Sequence, residues 1–109
     1  MPAPSHFAML LRLTAEGAKS EGVLQRELAD LGAALGALGG GLDAAVVTLG
    51  AYDAVVVGTI DSDEHLAWLA STAGSCGLVT YETLRGFTPE EWDAILGGTE
   101  LHTAHPFHR

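Results

Sequence analysis

Two runs of small and β-branched residues, Leu42 to Leu49 and Asp53 to Ile60, stand only three residues apart, across Gly50-Ala51-Tyr52. A connection that short cannot return a chain to a parallel neighbour, so the two runs read as an antiparallel hairpin. Within them Ala44-Ala45-Val46-Val47 and Val55-Val56-Val57 leave few polar residues for a solvated side. A sheet containing such strands needs cover on both faces, and that requirement constrains every fold open to this chain.

The remaining elements follow from periodicity. His6 to Leu13 is rich in large apolar groups and closed by Thr14-Ala15-Glu16-Gly17, which predicts a first strand with both faces largely covered. Ser20 reads as the N-cap of a helix in which Val23, Leu24, Leu28, Leu31, Leu35 and Leu38 recur at three- and four-residue steps. Gly39-Gly40-Gly41 ends it. Asp61-Ser62-Asp63-Glu64 offers a cap and first-turn charge to a second helix whose buried stripe is Leu66, Leu69, Ala70 and Ala73, with Trp68 on or beside it. Leu78 to Phe87 is a fourth strand. Thr88-Pro89-Glu90-Glu91 is a capping box opening a short helix through Leu96, docked by Trp92 and Ile95. The order β-α-β-β-α-β is the split βαβ arrangement, an α+β ferredoxin-like fold with two helices on one sheet face. Two such sheets meeting face to face would cover the other side and make a homodimer.

Fourteen acidic against five basic residues give a formal charge of −9, which repels nucleic acid and anionic lipid. No stretch approaches the roughly 18 to 20 apolar residues of a membrane span, and Met1 to His6 lacks the cationic start of a secretory signal. The expectation is a cytoplasmic protein with neither nucleic-acid nor membrane partners. The lone Cys76, among Gly74, Ser75 and Gly77, reads as a structural thiol.

Leu49-Gly50-Ala51-Tyr52-Asp53, followed by Thr80-Tyr81-Glu82-Thr83-Leu84-Arg85-Gly86-Phe87-Thr88-Pro89-Glu90-Glu91, resembles the bacterial GYD domain family, over roughly residues 7 to 96. The resemblance implies a dimeric α/β barrel, similar in architecture to antibiotic-biosynthesis monooxygenases, muconolactone isomerases and haem-binding chlorite dismutases. It brings no catalytic residue set. Ala51 stands where the family has glycine, so a positive φ there would require a different loop. Residues 1–98 read as the ferredoxin-like GYD-type domain and 99–109 as a histidine-containing tail beyond the resemblance.

Glu82 is the first candidate for chemistry, because a carboxylate amid Leu78, Val79, Tyr81 and Leu84 is costly to bury and its desolvation would raise its pKa toward a general-base range. Pairing with Arg85 or a dimer partner, or simply pointing to solvent near an edge, is the plainer account. Tyr81, Thr83 and Arg85 share the opposite strand face, and alternation leaves open which set lines the barrel. Tyr52 and Asp53 at the hairpin, His6 opening strand one, and Trp68 are candidate substrate contacts, each also explicable as turn chemistry or a surface side chain. His102, His105 and His108, three apart in the tail, could take a metal or haem if held extended, although a tail carrying Pro106 favours adventitious binding.

Three functions are compatible with these residues. One is a small-molecule-binding dimeric barrel, an isomerase, cyclase or monooxygenase type that needs no organic cofactor and acts on a compact apolar or aromatic substrate by acid/base chemistry. Another is a non-catalytic dimeric interaction module. A third uses the histidine tail to carry metal or haem.

Overall fold

The computed structural model describes residues 3–97. Its elements are β1 (Ser5–Leu13), α1 (Ala15–Ala18), α2 (Val23–Ala37), β2 (Gly41–Val47), β3 (Ala54–Ile60), α3 (Asp63–Thr72), β4 (Val79–Gly86) and α4 (Pro89–Gly97). The strands form one sheet in the order β2-β3-β1-β4, every neighbouring pair antiparallel. This is the ferredoxin-like α+β arrangement that the hydrophobic pattern predicts, with α1 as an added turn of helix and α4 as a C-terminal appendage.

Alternation sorts each strand onto two faces. Phe7, Met9 and Leu11 of β1, Ala54, Val56 and Ile60 of β3 and Val79 of β4 point to one side, where Val23, Leu31 and Leu35 of α2 and Leu66 and Leu69 of α3 close over them. Each large aliphatic or aromatic side chain fully buried in this layer is worth about 1.5–3 kcal/mol. In α3 only Leu66 and Leu69 of the expected stripe are buried; Ala70 is exposed and Ala73 half-buried.

Several local expectations are corrected. Ser20 does not cap α2; Thr14 caps α1 instead, its hydroxyl accepting from the Gly17 amide, and α2 starts after Gly22, whose φ of 75° suits glycine. Gly17 is required by space: a Cβ there would lie 2.0 Å from the Leu78 carbonyl oxygen. Ser62 caps α3 as expected, accepting from the His65 amide. The capping box of α4 forms in both directions, Thr88 N–H to Glu91 and Glu91 N–H to the Thr88 hydroxyl. Yet Trp92 and Ile95 do not dock α4. Trp92 touches the Phe87 ring, with centroids 5.7 Å apart, while no residue of the helix is buried. Strand β1 is covered on its helix side only; along its other side His6, Ala8 and Leu10 are half-buried and Arg12 is exposed. On β2 the ladder to β3 slips between Leu42 and Ala44, leaving Asp43 as a bulge.

Candidate functional site

The uncovered sheet face is built from the alternate residues: His6, Ala8, Leu10 and Arg12 of β1, Val55 and Val57 of β3, Ala44 and Val46 of β2, and Thr80, Glu82 and Leu84 of β4. Val46, Val57 and Leu84 are exposed. Register places Leu10 opposite Glu82 on one side and Val55 on the other, and Ala8 opposite Leu84 and Val57. The middle of the face is therefore apolar. Polar groups gather at its two ends.

At one end the hairpin after β2 presents Tyr52. Asp53 fixes this hairpin, its amide donating to the Leu11 carbonyl and its carboxylate accepting from the Leu13 amide, both at 2.8 Å. Thr48 adds a hydroxyl bond to the Tyr52 carbonyl at 2.7 Å. The Tyr52 hydroxyl then reaches across β1 and donates to Glu82 Oε2 at 2.9 Å, and the Arg12 guanidinium lies 5.0 Å from the centre of the Tyr52 ring. Arg12 Nε donates to the Ala51 carbonyl at 2.8 Å. The hydrogen bond to Glu82, and then the negative charge of that carboxylate, push the Tyr52 phenol above the ordinary tyrosine range. These side chains line a hollow of about 190 Å³ together with Leu10, Thr80 and Tyr81.

At the other end a larger open hollow of about 400 Å³ is lined by His6, Phe7, Ala8, Val57, Leu84, Arg85, Gly86, Phe87 and Thr88. His6 Nε2 lies 3.8 Å from Glu91 Oε1, which places the start of α4 at this rim.

The structure thus brings Glu82 and Tyr52 together, puts His6 at the far end of the same face, and uses Asp53 to hold the hairpin. It sends Tyr81, Arg85 and Trp68 elsewhere. Arg85 does not pair with Glu82: its Nε donates to Asp63 at 2.8 Å, its guanidinium stacks on Phe87 at 4.3 Å, and Ser5 donates a hydroxyl bond to the same carboxylate. Those bonds, the serine's first, hold Asp63 below the usual carboxylate range. Tyr81 faces the helices and donates to Glu27, whose other oxygen lies 3.2 Å from the Cys76 thiol. Burial first, and then Glu27, drive the Tyr81 phenol far above its ordinary pKa. Trp68 stands half-exposed over this groove between α2 and α3. His65 pairs with Asp61 at 2.6 Å on the surface. Glu82 is exposed in the single chain, so the desolvation argued for it requires something to cover the face. His102, His105 and His108 lie outside the described residues.

Arg12 and Glu27 escape a reading of the sequence. Arg12 leaves one faint signal, a cation at the end of an otherwise apolar strand in a chain with only five basic residues.

The family model for the GYD domain matches residues 7–96, from within β1 to within α4. The chain belongs to the GYD domain family. The substitution in the name-giving motif does not disturb the loop of this GYD domain: the positive φ falls on Gly50, at 140°, and among the described residues no non-glycine has one, so Ala51 fits. No curated protein and no solved structure matches the chain. No helix among the described residues is long and apolar enough to cross a membrane.

Proposed function

We propose that this GYD domain works as a homodimer whose two open sheet faces enclose a small apolar or aromatic molecule, with Glu82 as the acid or base that acts on it. The observation that carries this reading is the face itself, an uncovered apolar floor of half-buried Ala8 and Leu10 and exposed Val57 and Leu84, with a hydrogen-bonded phenol and carboxylate at its edge. An apolar concavity with a few convergent polar groups is the usual make-up of a ligand site. Self-association is favoured by charge as well. The molecule carries −9 overall, but the face sets Arg12 against Glu82, so two copies can approach there without the repulsion of the outer surface.

A second sheet laid on the first would remove water from Glu82 and Tyr52 together. A carboxylate in that setting can take a proton from a substrate carbon and return it elsewhere, which is an isomerisation or a cyclisation. The same proton loss on an electron-rich substrate would prepare it for oxygenation. None of these steps calls for an organic cofactor.

Sedimentation analysis of the purified chain, with native mass spectrometry for co-purified small molecules, tests the reading. A dimer that retains or takes up an apolar compound is expected, and Glu82→Gln should abolish turnover while keeping the dimer. A dimer with a sealed, dry interface would instead make the chain an interaction module, and a monomer would refute the enclosure outright.

A further inference from the structure

Resting on the enclosure proposed above, we infer that Arg12 makes the site selective for carboxylates, so that its ligand is a monoanionic acid with an apolar or aromatic body. Arg12 is held as a receptor would be. Its Nε is occupied by the Ala51 carbonyl and its guanidinium plane rests beside the Tyr52 ring, which leaves the two terminal nitrogens with no protein partner among the described residues. It forms no ion pair with Glu82, whose bonded oxygen is engaged by the Tyr52 hydroxyl. Elsewhere on the described surface Lys19 and Arg85 are matched to Glu16 and Asp63, and Arg26, for which no ion pair is found among the described residues, stands on α2, away from the open face. A planar fork with two free nitrogens is the group that grips a carboxylate through paired, charge-assisted hydrogen bonds.

The floor next to Arg12 supplies the rest of the ligand's description. Leu10 follows on the same face of β1, and Ala8 follows that, opposite Leu84, where the small alanine opens the hollow of about 400 Å³. Arg12 and Ala8 lie four steps apart along the strand, about 13 Å, which accommodates a carboxylate head, a short spacer and a ring. The net charge of −9 disfavours anions in general, so a preference for an anion must come from a local cation and not from the field of the whole molecule.

Calorimetric titration of the dimer with 3-phenylpropionate and with 3-phenylpropan-1-ol, which share a body and differ in the head, tests this. The wild type should bind the acid about tenfold or more tighter than the alcohol. Arg12→Met should erase that preference, so that the variant binds acid and alcohol alike, its circular dichroism spectrum and melting curve showing that it folds. Equal affinity of the wild type for both compounds, or a preference that survives in Arg12→Met, overturns the inference while leaving the enclosure intact. Binding of neither compound by a well-formed dimer overturns the enclosure, and the carboxylate selectivity with it.

Discussion

Leu84→Glu separates the role of the open face from the stability of the fold. Leu84 keeps 49% of its surface exposed in the single chain, on the central part of the face opposite Ala8. Covering that exposed half contributes about 1 kcal/mol. A two-fold interface counts each residue twice, so about 2 kcal/mol of dimer stability rests on this position. A carboxylate in its place must also be desolvated or expelled, which costs a further 1–2 kcal/mol or so per copy. The total of about 4–6 kcal/mol corresponds to a dimer weakened by roughly three to four orders of magnitude. Within the single chain the other half of the side chain is already covered, so monomer stability should fall by only about 1 kcal/mol. Sedimentation equilibrium across micromolar concentrations reads the first quantity and urea unfolding of the dissociated chain the second. A dimer as tight in Leu84→Glu as in the wild type would show that copies meet elsewhere. A collapse of monomer stability would show that the face belongs to the core.

Gly40→Ala should unfold the domain or cost it several kcal/mol, because the new Cβ would stand 2.0 Å from the Thr59 carbonyl oxygen; Gly36→Ala, on an exposed helical turn with nothing within 4 Å, should instead gain about 1 kcal/mol, both read from thermal melts. The chain has two tyrosines, so ultraviolet titration can follow Tyr52 and Tyr81 together. Glu82→Gln should bring one of them, Tyr52, back toward the ordinary range and leave Tyr81 high. The sign for stability follows from the raised phenol: the Tyr52 to Glu82 bond stabilises the fold fully below the ordinary tyrosine pKa and is lost as pH climbs through the raised one. An identical alkaline titration in wild type and Glu82→Gln would contradict the bond.

Periodicity and turn chemistry made the sheet legible in the sequence. The three-residue connection at Gly50-Ala51-Tyr52 forces the hairpin, and the apolar spacing of α2 is that of a helix on a sheet. The start of α2 was not legible, because Gly22 acts through its positive φ and Gly17 through the carbonyl of Leu78, far along the chain, and neither leaves a mark in local composition. Strand β4 shows a different limit. Its two faces, Val79-Tyr81-Thr83-Arg85 and Thr80-Glu82-Leu84, are nearly equal in apolar character, so only the helices packed over Val79 and Tyr81 decide which is inside. Tyr81 is tolerable there because Glu27, on α2, takes its hydroxyl proton bond. The docking expected of Trp92 and Ile95 failed for a related reason: an amphipathic stripe says that a helix wants an apolar neighbour, not that its own chain supplies one.

The bulge at Asp43 bears on how copies of this chain can go wrong. Strand β2 is an edge of the sheet, and its run Ala44-Ala45-Val46-Val47 is what a fibril would recruit. Cross-β stacking favours flat segments of about six or seven residues with little charge. By setting a carboxylate and a break in register directly before that run, the bulge splits the pairing of β2 with β3 into Gly41-Leu42 and Ala44 to Val47, each too short a ribbon to seed one. Removing Asp43 would lengthen the flat edge and turn a protected strand into a growing point.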